Sequence, residues 1–213
     1  MITPMSQSVA TTHWNDQPFT SFIASQLPLE ASILSIITEQ QPNALNLAIT
    51  IPLGRLEHQI QDFTKVQAEI DAANDHLLNL QLSSAATPRL QPITQSTYNA
   101  TKNELNLEIN LDAVPVFKDI ATRFPAFGSD AWRELESRHS QLTYLYLSAQ
   151  ASDHGEVALS REQLASELGI NAVLPDTMIT KLVVTKVRAE LNAHDWFPAY
   201  DLKTTDQGYQ LIW

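Results

Sequence analysis

The chain has 213 residues, enough for one large domain or two of about 100 residues each. Its 44% hydrophobic content and four tryptophans imply a folded globule, and the absence of cysteine excludes disulfides and thiolate metal or nucleophile chemistry. The formal net charge of −11 opposes phosphate binding by the molecule as a whole, since cation–phosphate contacts supply most nucleic-acid affinity.

Residues 1–18 are rich in Ser, Thr, Gln and Asn without periodicity and predict a mobile N-terminal arm. From Leu27, the spacing of Leu29, Ile33, Ile36 and Ile37 predicts a helix that Gln41-Pro42-Asn43 ends. Leu45 to Ile51 alternates as a short strand stopped by Pro52, and Leu53 to Ile60 follows as a short helix. Asp62 or Thr64 then caps a third helix, lined on one face by Phe63, Val66, Ile70, Ala73, Leu77 and Leu78. Strands are expected at 80–82, 90–93 and 104–111, and Ala113 to Gly128, with Pro115 and Pro125, reads as a joint.

The second half repeats this order. Asp130 to Ser148 predicts a helix carrying Trp132, Leu135, Leu142, Leu145 and Tyr146, and Glu156 to Leu159 is a strand stub. Ser160-Arg-Glu-Gln163 is a capping box opening a short helix that Gly169 stops. Past the turn at 171–176, Asp176 or Thr177 caps a longer helix in which Ile179, Leu182, Val183, Val187 and Leu191 recur every three or four residues. Phe197 to Leu202 and Tyr209 to Trp213 are strands around a polar turn at 203–208. Helix, strand stub, short helix, long helix and hairpin make a winged helix. The expected fold class is therefore α+β, mostly helical: two tandem winged-helix domains with small antiparallel β-hairpins, at 19–112 and 113–213, after the arm.

Up to Asp112 there are four Lys and Arg against eleven Asp and Glu; from Ala113 there are nine against thirteen. Met178 to Ala189 holds three cations and no acid, all on the long helix of the second half. Lys181, Thr185, Lys186 and Arg188 are thus the candidates for DNA contact, cations facing phosphates and Arg or Thr facing base edges. The other reading of the same face is a solvated helix surface. Arg161, at the start of the preceding helix, and Lys203, on the wing, are candidates for the phosphate backbone. Arg133 and Arg138, beside Glu134 and Glu136, read as surface charge.

The six histidines show no ligand spacing, and His194-Asp195 reads as structural at a helix end. Five glycines form no phosphate-cradling loop, and Ser137 to Ser140 lacks a nucleophile turn. No enzyme activity, metal or cofactor is expected. No apolar run approaches the roughly 20 residues of a membrane span, and residues 1–16 have neither cations nor an apolar centre, so the expectation is a soluble, cytoplasmic protein that does not bind membranes.

From Glu104 onward the sequence resembles the iteron-binding plasmid replication initiators built from two winged helices. The matching segments are Leu105-Asn-Leu-Glu-Ile109 with Val114-Pro-Val-Phe117; Leu135-Glu-Ser-Arg-His-Ser140 followed by Tyr144; Leu164-Ala-Ser-Glu-Leu-Gly-Ile170; and Val184 to Asn192. Val66 to Leu78 and Tyr98 to Leu111 resemble the first winged helix more loosely. The resemblance implies recognition of repeated duplex DNA sites, recruitment of host replication proteins, a homodimer formed through the first copy, and no cofactor. Leu142 and His139 depart from the family pattern, and the first copy's recognition helix has Lys65 as its sole cation beside Glu69, Asp71 and Asp75. The segment His154 to Leu164 with Thr205-Asp-Gln-Gly-Tyr209 is also similar to the winged-helix output domain of response regulators, which implies a transcription regulator. An acidic derivative of the scaffold that acts through protein contacts or DNA mimicry is the opposing expectation.

Overall fold

The computed structural model describes residues 13–14, 17–60, 62–82, 90–149, 155–193, 200–206 and 208–213. Most of the expected arm lies outside them, as do His154, His194-Asp195 and the first half of the strand expected from Phe197. His13–Trp14 (β1) and Gln17–Pro18 (β2) pair antiparallel. Among the described residues no helix is long and apolar enough to cross a membrane.

Two winged helices follow one another. The first has helix α2 (Pro28–Gln40), strand β3 (Ala48–Pro52), two 3₁₀ turns at Leu53–Arg55 and Glu57–Gln59, helix α3 (Val66–Asn79) and the hairpin β4 (Ile93–Asn99) and β5 (Glu104–Ile109). The second has α6 (Arg138–Ser148), β6 (Glu156–Leu159), α7 (Arg161–Leu168), a long helix over residues 176–193, and the hairpin β7 (Asp201–Thr205) and β8 (Gly208–Ile212). Both three-stranded sheets are antiparallel and place the last strand in the middle, in the orders β3-β5-β4 and β6-β8-β7. That shared order makes the two units copies of one architecture.

Three helices precede or link these units. Helix α1 (Phe19–Ser25) has Phe19, Phe22 and Ile23 buried at helical spacing. Helix α4 (Val114–Arg123) crosses the segment expected to be a joint, and α5 (Asp130–Glu134) precedes α6. The single helix expected over 130–148 is thus two, broken at Leu135-Glu136-Ser137.

The core forms two clusters. One gathers Trp132, Phe117, Phe127 and the isoleucines of α2 with β3 and β5; the other gathers Leu164, Leu168, Ile179, Val183, Val187, Leu191, Tyr200, Leu202 and Leu211. Half-buried Tyr144 packs against both. Helix α1 joins them as well: Phe19 stacks on Phe124 at 4.3 Å and meets Phe127 edge-on at 5.2 Å, while the helix packs on α6 and α7.

Arg133 and Arg138 are not surface charges. Arg133 is 6% exposed and bridges Ser35 Oγ at 2.8 Å, Glu39 at 2.9 Å and Asp130 at 2.5 Å. Arg55 joins the same carboxylates, at 2.5 Å from Glu39 and 3.2 Å from Asp130. Arg138 points its guanidinium at the C-terminal carbonyls of α1, donating to Ile23 O and, at 3.3 Å, to Gln26 O. Burial pulls its pKa down to about 10. Both arginines find partners about a hundred residues away, which local sequence does not display.

Candidate nucleic-acid interface

The second copy's long helix runs through α8 (Asp176–Thr180), a π-helical stretch (Lys181–Val187) and α9 (Arg188–Ala193). The sequence predicts an ordinary α-helix here, and the π stretch has a physical reason. Ile179, Val183, Val187 and Leu191 lie four apart, and all are buried. In a pure α-helix a line at that spacing turns by about 40° per step and would leave the core by its last member. Bonds from i to i+5 put more residues in each turn and rotate the line back. The Arg188 amide is shared between Thr185 O and Val183 O, and buried Tyr200 donates its hydroxyl to Val183 O at 2.8 Å. The loosened turn keeps its backbone partners.

The same geometry straightens the opposite face. Thr177, Lys181, Thr185 and Ala189, also four apart, are all exposed, and Lys186 stands exposed beside Thr185. Lys181, Lys186 and Lys203 make no ion pair among the described residues. The nearest acid of the helix, Glu190, is turned inward. Its carboxylate accepts from the Glu136 amide at 2.7 Å, the Ser137 amide at 3.1 Å and Ser140 Oγ at 2.5 Å, which caps the start of α6. The ridge is therefore cationic because its acid serves the interior.

The other candidates have different surroundings. Arg188 is half-buried and donates to Tyr200 O at 3.2 Å, so it holds the start of the hairpin strand against the helix. Arg161 ties the turn before the long helix: it donates to Ala172 O at 2.8 Å, to Leu174 O at 2.6 Å and to Asp176, whose same oxygen also accepts from Tyr209. Its charge is neutralised by Asp176, and its donors already point at protein. Lys203, expected in the wing's turn, lies within β7 opposite Gln210, because the strand continues to Thr205. It is exposed. Lys181, Thr185, Lys186 and Lys203 remain as open polar groups on the helix and wing of one copy.

Local sequence builds this scaffold as expected. Ser160 Oγ accepts from the Gln163 amide at 3.2 Å and Gln163 returns the bond at 2.8 Å. Gly169 closes α7 at φ 64°, where a Cβ would sit 2.8 Å from Leu142 Cδ1. The cap of the long helix differs from expectation: Pro175 stands at the N-cap and Asp176 at the first turn.

The first copy presents another surface. The exposed residues of α3 are Gln67, Ala68, Asp71, Ala72, Asp75, His76 and Asn79, two acids and no Lys or Arg. Lys65 is tied to Asp62 at 2.9 Å. Lys102, which the sequence did not single out, is exposed in the turn between β4 and β5; a lone lysine between Thr and Asn carries no pattern by which to find it.

These observations define a tandem winged-helix protein in which the long helix of the second copy carries an exposed cationic ridge and that of the first copy an acidic face. A crystal structure of Pi initiator protein in complex with iteron DNA shares the fold, with a TM-score of 0.54 and 16% sequence identity over 91% of this chain and 92% of that chain. No family model and no curated protein matches the sequence.

Proposed function

We propose that the protein binds duplex DNA through its second winged helix, as an initiator-like reader of repeated sites. The long helix enters the major groove with Thr185 toward base edges and Lys181 and Lys186 toward phosphates, while Lys203 on the wing reaches the backbone. The observation that carries this is the inward turn of Glu190, which leaves an unpaired lysine ridge on a protein of net charge −11. The likeness to an initiator solved with iteron DNA supports it. Under the same reading the protein assembles with host replication proteins, pairs with a second copy through its first winged helix, and needs no cofactor or catalytic group.

The test is a titration of labelled duplex carrying repeated sites at several salt concentrations. Lys181, Lys186 and Lys203 changed together to Ala flatten the log–log salt slope by about 0.9 for each lysine that meets a phosphate. Arg161→Ala loses stability but keeps the slope, because its guanidinium is bound to Asp176 and two carbonyls. Absence of binding at low salt, or a slope unchanged in the triple variant, overturns the proposal.

A further inference from the structure

The groove between α2 and α3 is open, apolar on its floor and acidic on its rim. It has a volume of about 230 Å³ and is formed by Leu27, Pro28 and Leu29 at the start of α2 and by Ala72 and Ala73 of α3. Leu27 is 49% exposed, an aliphatic side chain left uncovered. Glu69 lines the groove, one of its carboxylate oxygens accepting from the Asp62 amide at 2.9 Å, and Asp75 lies outside the lining, three residues past Ala72 on the same helix. Asp71 and Asp75 are exposed and make no ion pair among the described residues; Asp71 only accepts from Gln67 at 2.8 Å. On the groove wall, Gln59 Nε2 is buried and has no hydrogen-bond partner among the described residues. His76, 2.8 Å from Glu30, links the two helices one turn beyond Ala72.

We propose that this groove docks a basic amphipathic segment of a partner protein. One aliphatic side chain of that segment sits between Leu27 and Ala72, and lysines or arginines beside it face Glu69 and Asp75. Nucleic acid is disfavoured because the rim carries the same sign as phosphate. The cationic and acidic faces lie on different copies, so the groove and the lysine ridge are separable surfaces of one molecule.

The experiment uses the full chain, labelled with ¹⁵N, and two synthetic helical peptides of equal positive charge: one with leucines on a single face, the other with glutamine in their place. The leucine peptide is expected to shift resonances of residues 27–30 and 69–76 and to bind about tenfold more tightly than the glutamine peptide. Ala72→Arg, at an exposed position, weakens it by about tenfold again, through bulk and an added charge of the peptide's own sign. Asp75→Asn weakens it by a smaller factor, about threefold, that shrinks as salt is raised. Equal binding of both peptides, unaltered affinity in Ala72→Arg, or shifts confined to other surfaces overturns the proposal. The same resonances moving with protein concentration in the absence of peptide would also overturn it, and would assign the groove to a second copy of the chain.

Discussion

The two winged helices solve one packing problem with opposite polarity. In each, the start of the first helix meets the end of the third. In the first copy the acid belongs to the first helix: Glu30, 2% exposed, accepts from the Leu27 amide and faces His76 of α3. In the second copy the acid comes from the third helix, and Glu190 caps α6. The consequence lies on the outside. Where the third helix supplies the internal carboxylate, its exposed face keeps two lysines, and its one exposed acid, Asp176, is paired with Arg161; where the first helix supplies it, the third is left with Asp71 and Asp75 facing solvent. The location of one inward-turned carboxylate goes with a difference in what each copy can attract.

Removing that carboxylate is the most direct way to break the comparison. Glu190→Ala strands the buried Ser140 hydroxyl and the part-buried Ser137 amide at the start of α6 and is expected to cost about 2–3 kcal/mol in urea denaturation, since each unmet buried donor costs roughly 1–3 kcal/mol. His76→Ala in the first copy costs less, about 1 kcal/mol, because the imidazole is 65% exposed and Glu30 keeps the Leu27 amide. Equal losses would mean that the two junctions are equivalent and the polarity argument wrong.

The next test transfers the property. Asp71→Lys together with Asp75→Lys gives α3 the charge of its counterpart without touching its buried face of Ile70, Ala73, Asn74 and Leu77. The salt slope of duplex binding is expected to steepen by about 0.9 for each new lysine that meets a phosphate. An unchanged slope would show that the first copy is kept from DNA by geometry and not by charge.

Much of the architecture is legible in the sequence because it is written locally. The Ser160–Gln163 capping box, Gly169 and the four-residue apolar line from Ile179 to Leu191 each need only a few neighbours to be understood. Lys181, Thr185 and Lys186 are found outward for the same reason, being out of phase with that line. The π-helical stretch hides in the same pattern, since four-residue spacing over a few turns is close enough to the α period of about 3.6 to read as an ordinary helix. The sequence pattern reaches strand β4 only at its first residue, because most of Thr94 to Asn99 is polar and the strand's exposure matches; its register comes from β5. The commitments of Arg133, Arg138 and Arg161 were illegible because their partners are carbonyls and carboxylates brought near by the fold.

The smallest expected effect concerns the contact between α1 and the second copy. Glu167 of α7 lies beside Ser21 of α1, and burial raises its pKa more than the Ser21 hydroxyl lowers it. Its proton is thus held more tightly in the folded than in the unfolded protein. The folded state gains from this group below its unfolded pKa, and the gain is lost as pH rises through the higher folded pKa. At neutral pH the ionised side chain is a net strain. Glu167→Gln should therefore stabilise the protein at pH 7, by less than about 1 kcal/mol because the group is part-exposed and water screens it. The increment should vanish once pH falls below the ordinary glutamate range. Denaturant midpoints of both proteins across that range check it. A stabilisation that persists in acid would reflect better packing by the amide, whereas a pH-dependent one locates a titratable seam where α1 rests on α7 and ties the two copies together.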